Sequence, residues 1–364
     1  MLYPLIFQAR FKDRIWGGRE LERLYAKKIP AGQAIGESWE ISDRPGDASV
    51  ITNGPLAGKD LRWLMEQHPA EVLGGAKPEV KGRFPLLRQT EYYGPGAKPA
   101  AGGRFPLLCK ILDARERLSL QVHPPASKAA ELKGEPKTEM WFIADAAPDA
   151  CLYVGLKYGV TRAEFEKRIA DGSVADCFHR IPVRAGDTMF LPSGRVHAIG
   201  DGLVIFEIQQ NSDTTYRVFD WNRVGLDGRP RELHIAQSLA SIDFNDFEPK
   251  LVQTKFIGDE TAKVRQLVSD PLFSVEQWEM KATAPEKLTN LPIPWRPFCA
   301  TTTPLANFTL QILAVVKGEV EIKSDVGSLV LSAGQFCLVP GCLKNTEVVV
   351  RHDASWLRVA AGTN

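Results

Sequence analysis

The chain lacks net charge, a long apolar run and any paired-cysteine motif, and each absence excludes something. Its 364 residues carry 45 Lys+Arg against 44 Asp+Glu, a formal net charge of +1. That balance gives no support for a nucleic acid or a membrane surface as partner. No apolar stretch approaches the length of a membrane span. The start, Met1 to Arg10, has no basic region ahead of its apolar residues and is broken by Pro4, so it reads as a mature cytoplasmic N-terminus and not as a signal peptide. The six cysteines (109, 151, 177, 299, 337 and 342) form no C-x-x-C pair and sit mostly among apolar neighbours. Reduced core thiols fit that pattern better than disulfides or a sulfur-bound metal. What is present is ordinary globular material: 44% hydrophobic residues and enough length for two domains.

Strand signals dominate. Runs of β-branched and aromatic residues recur between Gly, Pro, Asn and Asp: Trp141-Phe142-Ile143, Thr188 to Leu191, Leu203 to Ile208, Glu347 to Val350. Helices are fewer. Lys59 to Leu73 has apolar residues at helical spacing. Thr161 to Glu164 is a capping box with Phe165 and Ile169 behind it, and Glu232 to Ile242 is a third candidate. Many short strands predict a mainly β fold of the jelly-roll kind, with a few helices packed outside. The stretch Arg184 to Gly194 is echoed by Ser332 to Gly341; in both, a glycine opens, apolar residues fill and a proline closes. The echo predicts two related barrels, a catalytic one over 1–248 and a second over 249–364. Aligning Pro192 with Pro340 puts Asn345 where the first copy has His197, so the second barrel is expected to bind no metal. A further repeat, Gly82 to Leu87 and Gly103 to Leu108, brackets a polar, turn-rich segment, 88–102, that reads as a surface loop.

Chemistry concentrates on Gln121, His123, Glu139 and His197. Side chains alternate along a strand, so Gln121 and His123 share a face. Each residue alone has a bland reading as core or surface filler. A carboxylate at Glu139, beside Met140-Trp141-Phe142, is costly to bury unless paired or coordinated. Two imidazoles and a carboxylate are a usual set for a borderline divalent metal such as zinc. His68, His179, His234 and His352 have ready structural roles at helix ends or in the second barrel. Cations cluster on the same strands. Lys110 lies in an apolar run, Lys137 stands two residues before Glu139, and Arg217 follows Asn211 to Tyr216. No acidic partner for both Lys137 and Arg217 is evident in the sequence, so a small phosphorylated substrate is the expected counter-charge.

Taken together these stretches resemble the type I mannose-6-phosphate isomerases (phosphomannose isomerases) of the short bacterial kind. The matching segments are Asp13 to Gly18, Gly36 to Ser42, Lys110 to Leu112, Leu118 to Pro124, Lys137 to Met140, Gly194 to Ala198 and Glu207 to Val218. They cover most of 1–245; the 88–102 segment lies outside the pattern. The resemblance implies a cupin fold and one Zn2+ per chain, bound by Gln121, His123, Glu139 and His197. It also implies a substrate pocket with Lys110, Lys137, Glu207 and Arg217. The implied reaction interconverts mannose 6-phosphate and fructose 6-phosphate through an enediol. Arg217, Glu207 and Lys137 are the catalytic candidates, and Lys110, Lys137, Ser119 and Arg217 those for binding substrate. Glu207 is the first candidate for the base; a metal-bound water or a histidine are the others. The Trp16-Gly17-Gly18 and Glu37 to Glu40 stretches read equally as an exposed pocket rim or as packed structure. Two alternatives stay open: a metal-dependent cupin oxygenase using two histidines and a carboxylate, and a sugar-phosphate-binding protein without catalysis.

Overall fold

A computed structural model describes residues 1–74, 103–225, 227–282 and 309–362, and the backbone of 302–304. The fold is mainly β, with short helices between strands. Among the described residues no helix is long and apolar enough to cross a membrane. The residues group into two compact units, Ala9–Arg44 with Leu107–Val252, and Met1–Gln8 with Pro45–Pro106 and Gln253–Asn364. This corrects the single cut expected at 248/249. The N-terminal strand Leu5–Ile6 pairs with Phe336–Val339, and the Gly341 N–H donates to Val72 O (2.9 Å). Backbone pairing, not sequence order, assigns 1–8 and 45–106 to the C-terminal residues.

The first unit consists of two antiparallel sheets. One runs in the order Arg10–Gly18, Ile35–Ile41, Leu107–Ala114, Leu203–Gln210, Glu139–Ala146, Thr188–Leu191. The other runs Tyr216–Phe219, Leu120–Val122, His197–Ile199, Cys151–Leu156, Phe178–Pro182. Leu112, Trp141, Ile143 and Ile205 of the first sheet share a buried cluster with Leu152, Val154, Ile181 and Ile199 of the second. Strand Leu203–Gln210 is paired on both sides and buried nearly throughout. Its continuous apolar run follows from that position, and Glu207 is the residue that breaks it.

The second unit has a sheet Leu5–Ile6, Phe336–Val339, Gln311–Lys317, Ala354–Ala361, Phe273–Met280, Ala262–Ser269, Ile257–Gly258. A second sheet runs Thr302–Pro304, Glu347–Val350, Glu319–Ser324, Gly327–Ser332. Trp278, Val315, Val339 and Trp356 of one meet Val320, Ile322, Val348 and Val350 of the other in an apolar core.

Three local expectations are refined. The helix expected over Lys59 to Leu73 is two, Leu61–Gln67 and Pro69–Leu73, because Pro69 cannot continue the first. Helix Arg162–Asp171 is capped as the sequence predicts, with Thr161 accepting from the Glu164 N–H (3.2 Å). Trp16 is packed, not exposed, at 4% exposure in the first unit's core, and it also lines the cavity described below. The segment 88–102 and Cys299 lie outside the described residues.

Candidate metal centre and substrate cavity

Strand register builds the site. Cross-strand partners present their side chains on the same face. In the larger sheet, Trp39 is opposite Lys110, Lys110 opposite Glu207, and Glu207 opposite Trp141. Glu139, two residues before Trp141, shares that face by alternation. In the smaller sheet, Arg217 is opposite Gln121 and Gln121 opposite His197. His123 follows one residue after strand Leu120–Val122. The two rows meet at the His197 ring, which sits edge-on to Trp141 at 5.3 Å and 4.8 Å from the His123 ring.

His123, Glu139 and His197 are buried, at 1%, 0% and 1% exposure. One donor atom from each lies within 4.8 Å of the others. His123 Nδ1–H donates to Thr214 O (2.8 Å) and His197 Nδ1–H to Arg195 O (2.9 Å). Those bonds fix the tautomers and leave each Nε2 as a lone pair turned inward, the usual support for a metal-bound imidazole. The Nε2 atoms stand 3.5 and 3.4 Å from the Glu139 carboxylate. Gln121 Nε2 is 3.3 Å from His197 Nε2.

Electrostatics favour the same reading. Burial pushes His123 down to about 4, helped by Lys137, and lowers His197 as well, so both rings are neutral near pH 7. Burial opposes charge on Glu139, but Lys137 and His123 outweigh it and hold its pKa well below the usual range. Both Glu139 oxygens are buried without a properly directed hydrogen bond, although Lys137 Nζ lies 2.7 Å from Oε2. Lys137 Nζ is the cation that partners this buried carboxylate, and it also lies 3.3 Å from His123 Nε2. Two neutral imidazoles, a carboxylate and an adjacent amide therefore fit a divalent metal.

A cavity of about 590 Å³ adjoins this centre, within the size range of small-molecule sites. Its lining includes Ser119, Gln121, Lys110, Lys137, Glu207 and Arg217, so the expected substrate residues converge on one space. Lys137 corrects one expectation: it has an acidic partner, Glu139. Lys110 Nζ lies 3.2 Å from Glu207 and 3.6 Å from Glu37, and 5.0 Å above the Trp39 ring. Burial disfavours its charge, but those carboxylates outweigh burial and raise its pKa. Glu37 is likewise drawn down to about 2: burial resists, while Lys110 and Arg14 prevail. Glu207 Oε2 accepts from Trp141 Nε1–H (2.9 Å), which fixes the carboxylate at the cavity wall. Sequence reasoning missed Arg14, Asp227 and Arg231, which also line the cavity. The available signal was the density of four arginines in 217–231.

Comparison with known proteins agrees with this geometry. A mannose-6-phosphate isomerase of Streptococcus mutans is 36% identical over 298 residues, covering 80% of this chain and 85% of that protein. The chain belongs to the mannose-6-phosphate isomerase family. A probable mannose-6-phosphate isomerase of Bacillus subtilis, GmuF, is 36% identical over 287 residues, 78% of this chain and 82% of the relative. The model of the phosphomannose isomerase type I catalytic domain matches residues 88–140, which carry Lys110, Ser119, Gln121, His123, Lys137 and Glu139. That span begins at 88 and so takes in the 88–102 segment that the sequence reading left outside the family pattern. The crystal structure of the mannose 6-phosphate isomerase from Bacillus subtilis superposes with a TM-score of 0.79 at 28% identity, covering 99% of both chains. The mainly β architecture is thus the cupin-type fold of this isomerase family.

Proposed function

We propose that the chain is a zinc-dependent aldose–ketose isomerase that interconverts mannose 6-phosphate and fructose 6-phosphate through an enediol. The observation that carries the reading is the buried His123–Glu139–His197 group beside a cavity lined by Lys110, Lys137, Arg217 and Arg231. Zinc held by Gln121, His123, Glu139 and His197, one ion per chain, would supply a redox-silent Lewis acid for the sugar oxygens. Gln121 turns its amide nitrogen toward His197 Nε2, so to join that set its amide would have to turn over and offer the oxygen.

The remaining roles fall to side chains. The reaction moves a proton between C1 and C2 of the sugar. Glu207 is fixed by Trp141 at Oε2 and faces Lys110 Nζ at Oε1 (3.2 Å), and it is the first carboxylate candidate for a base at the cavity wall. Negative charge that develops on the sugar oxygens is stabilised by Lys137, buried beside Glu139, while Arg217 meets the anionic end of the phosphorylated substrate. Ser119 lines the cavity as a hydroxyl available to the sugar. Catalysis is assigned to the unit 9–44 with 107–252, which contains every one of these residues. The five described cysteines are unpaired, in keeping with a cytoplasmic enzyme. A coupled isomerase assay on protein of measured zinc content tests the reading. Turnover of mannose 6-phosphate that tracks zinc supports it, and zinc-replete protein without turnover refutes it.

A further inference from the structure

The cations of the cavity differ in how they are neutralised. Arg14 Nε lies 2.7 Å from Glu37, and Lys110 and Lys137 face Glu207 and Glu139. Each has a carboxylate supplied by the larger sheet or its flank. Arg217 does not. Among the described residues no carboxylate comes within ion-pairing distance of it. Its Nη1 donates to the Glu232 carbonyl oxygen (2.7 Å), and its Nε is buried with no acceptor. Its nearest charged neighbours include another guanidinium: burial first, then Arg231, disfavours its charge.

Arg231 belongs to a built cluster. Its Nε and Nη2 donate to the two oxygens of Asp220 (2.7 and 2.5 Å), and Arg223 Nη2 donates to the same carboxylate (2.9 Å). One buried aspartate thus serves two arginines, with Arg217 close by. Asp227 also lines the cavity, but it is exposed and its Oδ1 accepts from the Arg229 N–H. Asp213 also lines the cavity and Glu232 lies near Arg217, yet among the described residues neither forms an ion pair with the Arg217 guanidinium.

The backbone directly after Asp220 is held by several contacts. Trp221 and Asn222 both have left-handed backbones, φ 57° and 55°, directly after Asp220. Left-handed backbone at two non-glycine residues in succession persists where the surroundings enforce it. Trp221 Nε1–H donates to Leu118 O (2.6 Å), Arg117 stacks on the Trp221 ring at 4.3 Å, and Arg223 Nη1 donates to Arg117 O (2.5 Å). These bonds hold the backbone beside Asp220, whose carboxylate in turn holds the Arg231 guanidinium.

We infer that Arg231, oriented by Asp220, anchors the phosphate of the substrate together with Arg217 and sets the preference for phosphorylated over unphosphorylated sugar. The inference rests on the isomerase reading for its substrate and deepens it. A phosphate monoester carries close to two negative charges at pH 7 and accepts forked guanidinium bonds, which matches an Arg217 left without a carboxylate and an Arg231 on the same cavity lining. Asp220 is a positioning residue: it fixes the plane of the Arg231 fork.

The test compares wild type, Arg231→Gln and Arg231→Lys. Binding of glucitol 6-phosphate, which cannot isomerise, is measured by calorimetry beside unphosphorylated glucitol, with kinetics on mannose 6-phosphate. Arg231→Gln should weaken glucitol 6-phosphate binding and raise KM by roughly ten- to a hundredfold. Its kcat should stay within about threefold, and zinc content and Tm should be unchanged. Arg231→Lys, which keeps the charge opposite Asp220, should fall between. Asp220→Asn should raise KM with kcat retained, a split that a purely structural role would not give. Wild-type Kd and KM in both Arg231 variants overturn the inference while leaving the isomerase reading intact. Wild type that binds glucitol 6-phosphate through Arg231 but does not isomerise supports the anchor and overturns that reading instead.

Discussion

The two units carry the same local construction and fill it differently. In the first, Gly186 opens the turn before strand Thr188–Leu191; in the second, Gly334 opens the turn before Phe336–Val339. Gly186 N–H donates to Ile143 O and Gly334 N–H to Val315 O, both at 2.8 Å. Asp187 Oδ2 accepts from the Arg184 N–H, as Gln335 Oε1 accepts from the Ser332 N–H. Register carries the match further. Leu191 is opposite Glu139 and Val339 opposite Gln311, so Gln311 stands where the first unit has Glu139. Asn345, at the place of His197, is exposed and bonded to Asp325. The turn is a folding device common to both units. A metal centre needs, in addition, charged and basic donors that only a cation makes tolerable to bury.

Glu139→Gln breaks the comparison most severely, because it gives the first unit the second unit's residue. Metal content should drop to a small fraction of one per chain, and kcat/KM should fall by on the order of a thousandfold, as when transition-state charge stabilisation is removed. Metal analysis and the isomerase assay check it; retained metal would show that the carboxylate is not a ligand. Arg217→Ala should come next. A loss of roughly a hundredfold in kcat/KM is expected, with metal content and Tm unchanged. Arg217→Lys should also be impaired if the guanidinium grips two oxygens. Near-normal turnover would make Arg217 a packing arginine.

The reverse substitution, Gln311→Glu, sharpens the contrast. It buries a carboxylate in the second unit without the lysine and imidazoles that surround Glu139. A stability loss of about 2–3 kcal/mol, not recovered by zinc, is expected from thermal or urea unfolding. Recovery by zinc would mean that the second unit can also form a centre. The smallest effect is reserved for the shared turn. Asp187→Ala and Gln335→Ala each remove one side-chain acceptor and should each cost about 1 kcal/mol. Asp187→Ala should leave kcat within twofold, as fits a fold residue.

The legible part of the molecule was what repeats or what is chemically out of place. Glu139 in an apolar strand, the Gln121–His123 alternation and the echo of Arg184 to Gly194 could be read from residue order, since strand periodicity turns spacing into facing. Lys110 and Glu207 were legible as oddities, but their pairing was not, because it depends on register between strands far apart in sequence. The same limit hid the Lys137–Glu139 pair: on alternation alone they share a face, yet whether they touch depends on side-chain path. Arg231 escaped because it lies beyond the strand Tyr216–Phe219, where no periodicity turns spacing into facing. The division into units was misread for a related reason, since Leu5–Ile6 pairs with a strand more than three hundred positions away.

Zinc titration of chelator-treated protein against isomerase activity tests the central claim most directly. Activity on mannose 6-phosphate should be negligible in the metal-free protein and rise linearly to a break at one equivalent of zinc per chain. Full turnover without metal, or a break at two equivalents, would contradict the assignment of a single metal centre to His123, Glu139 and His197.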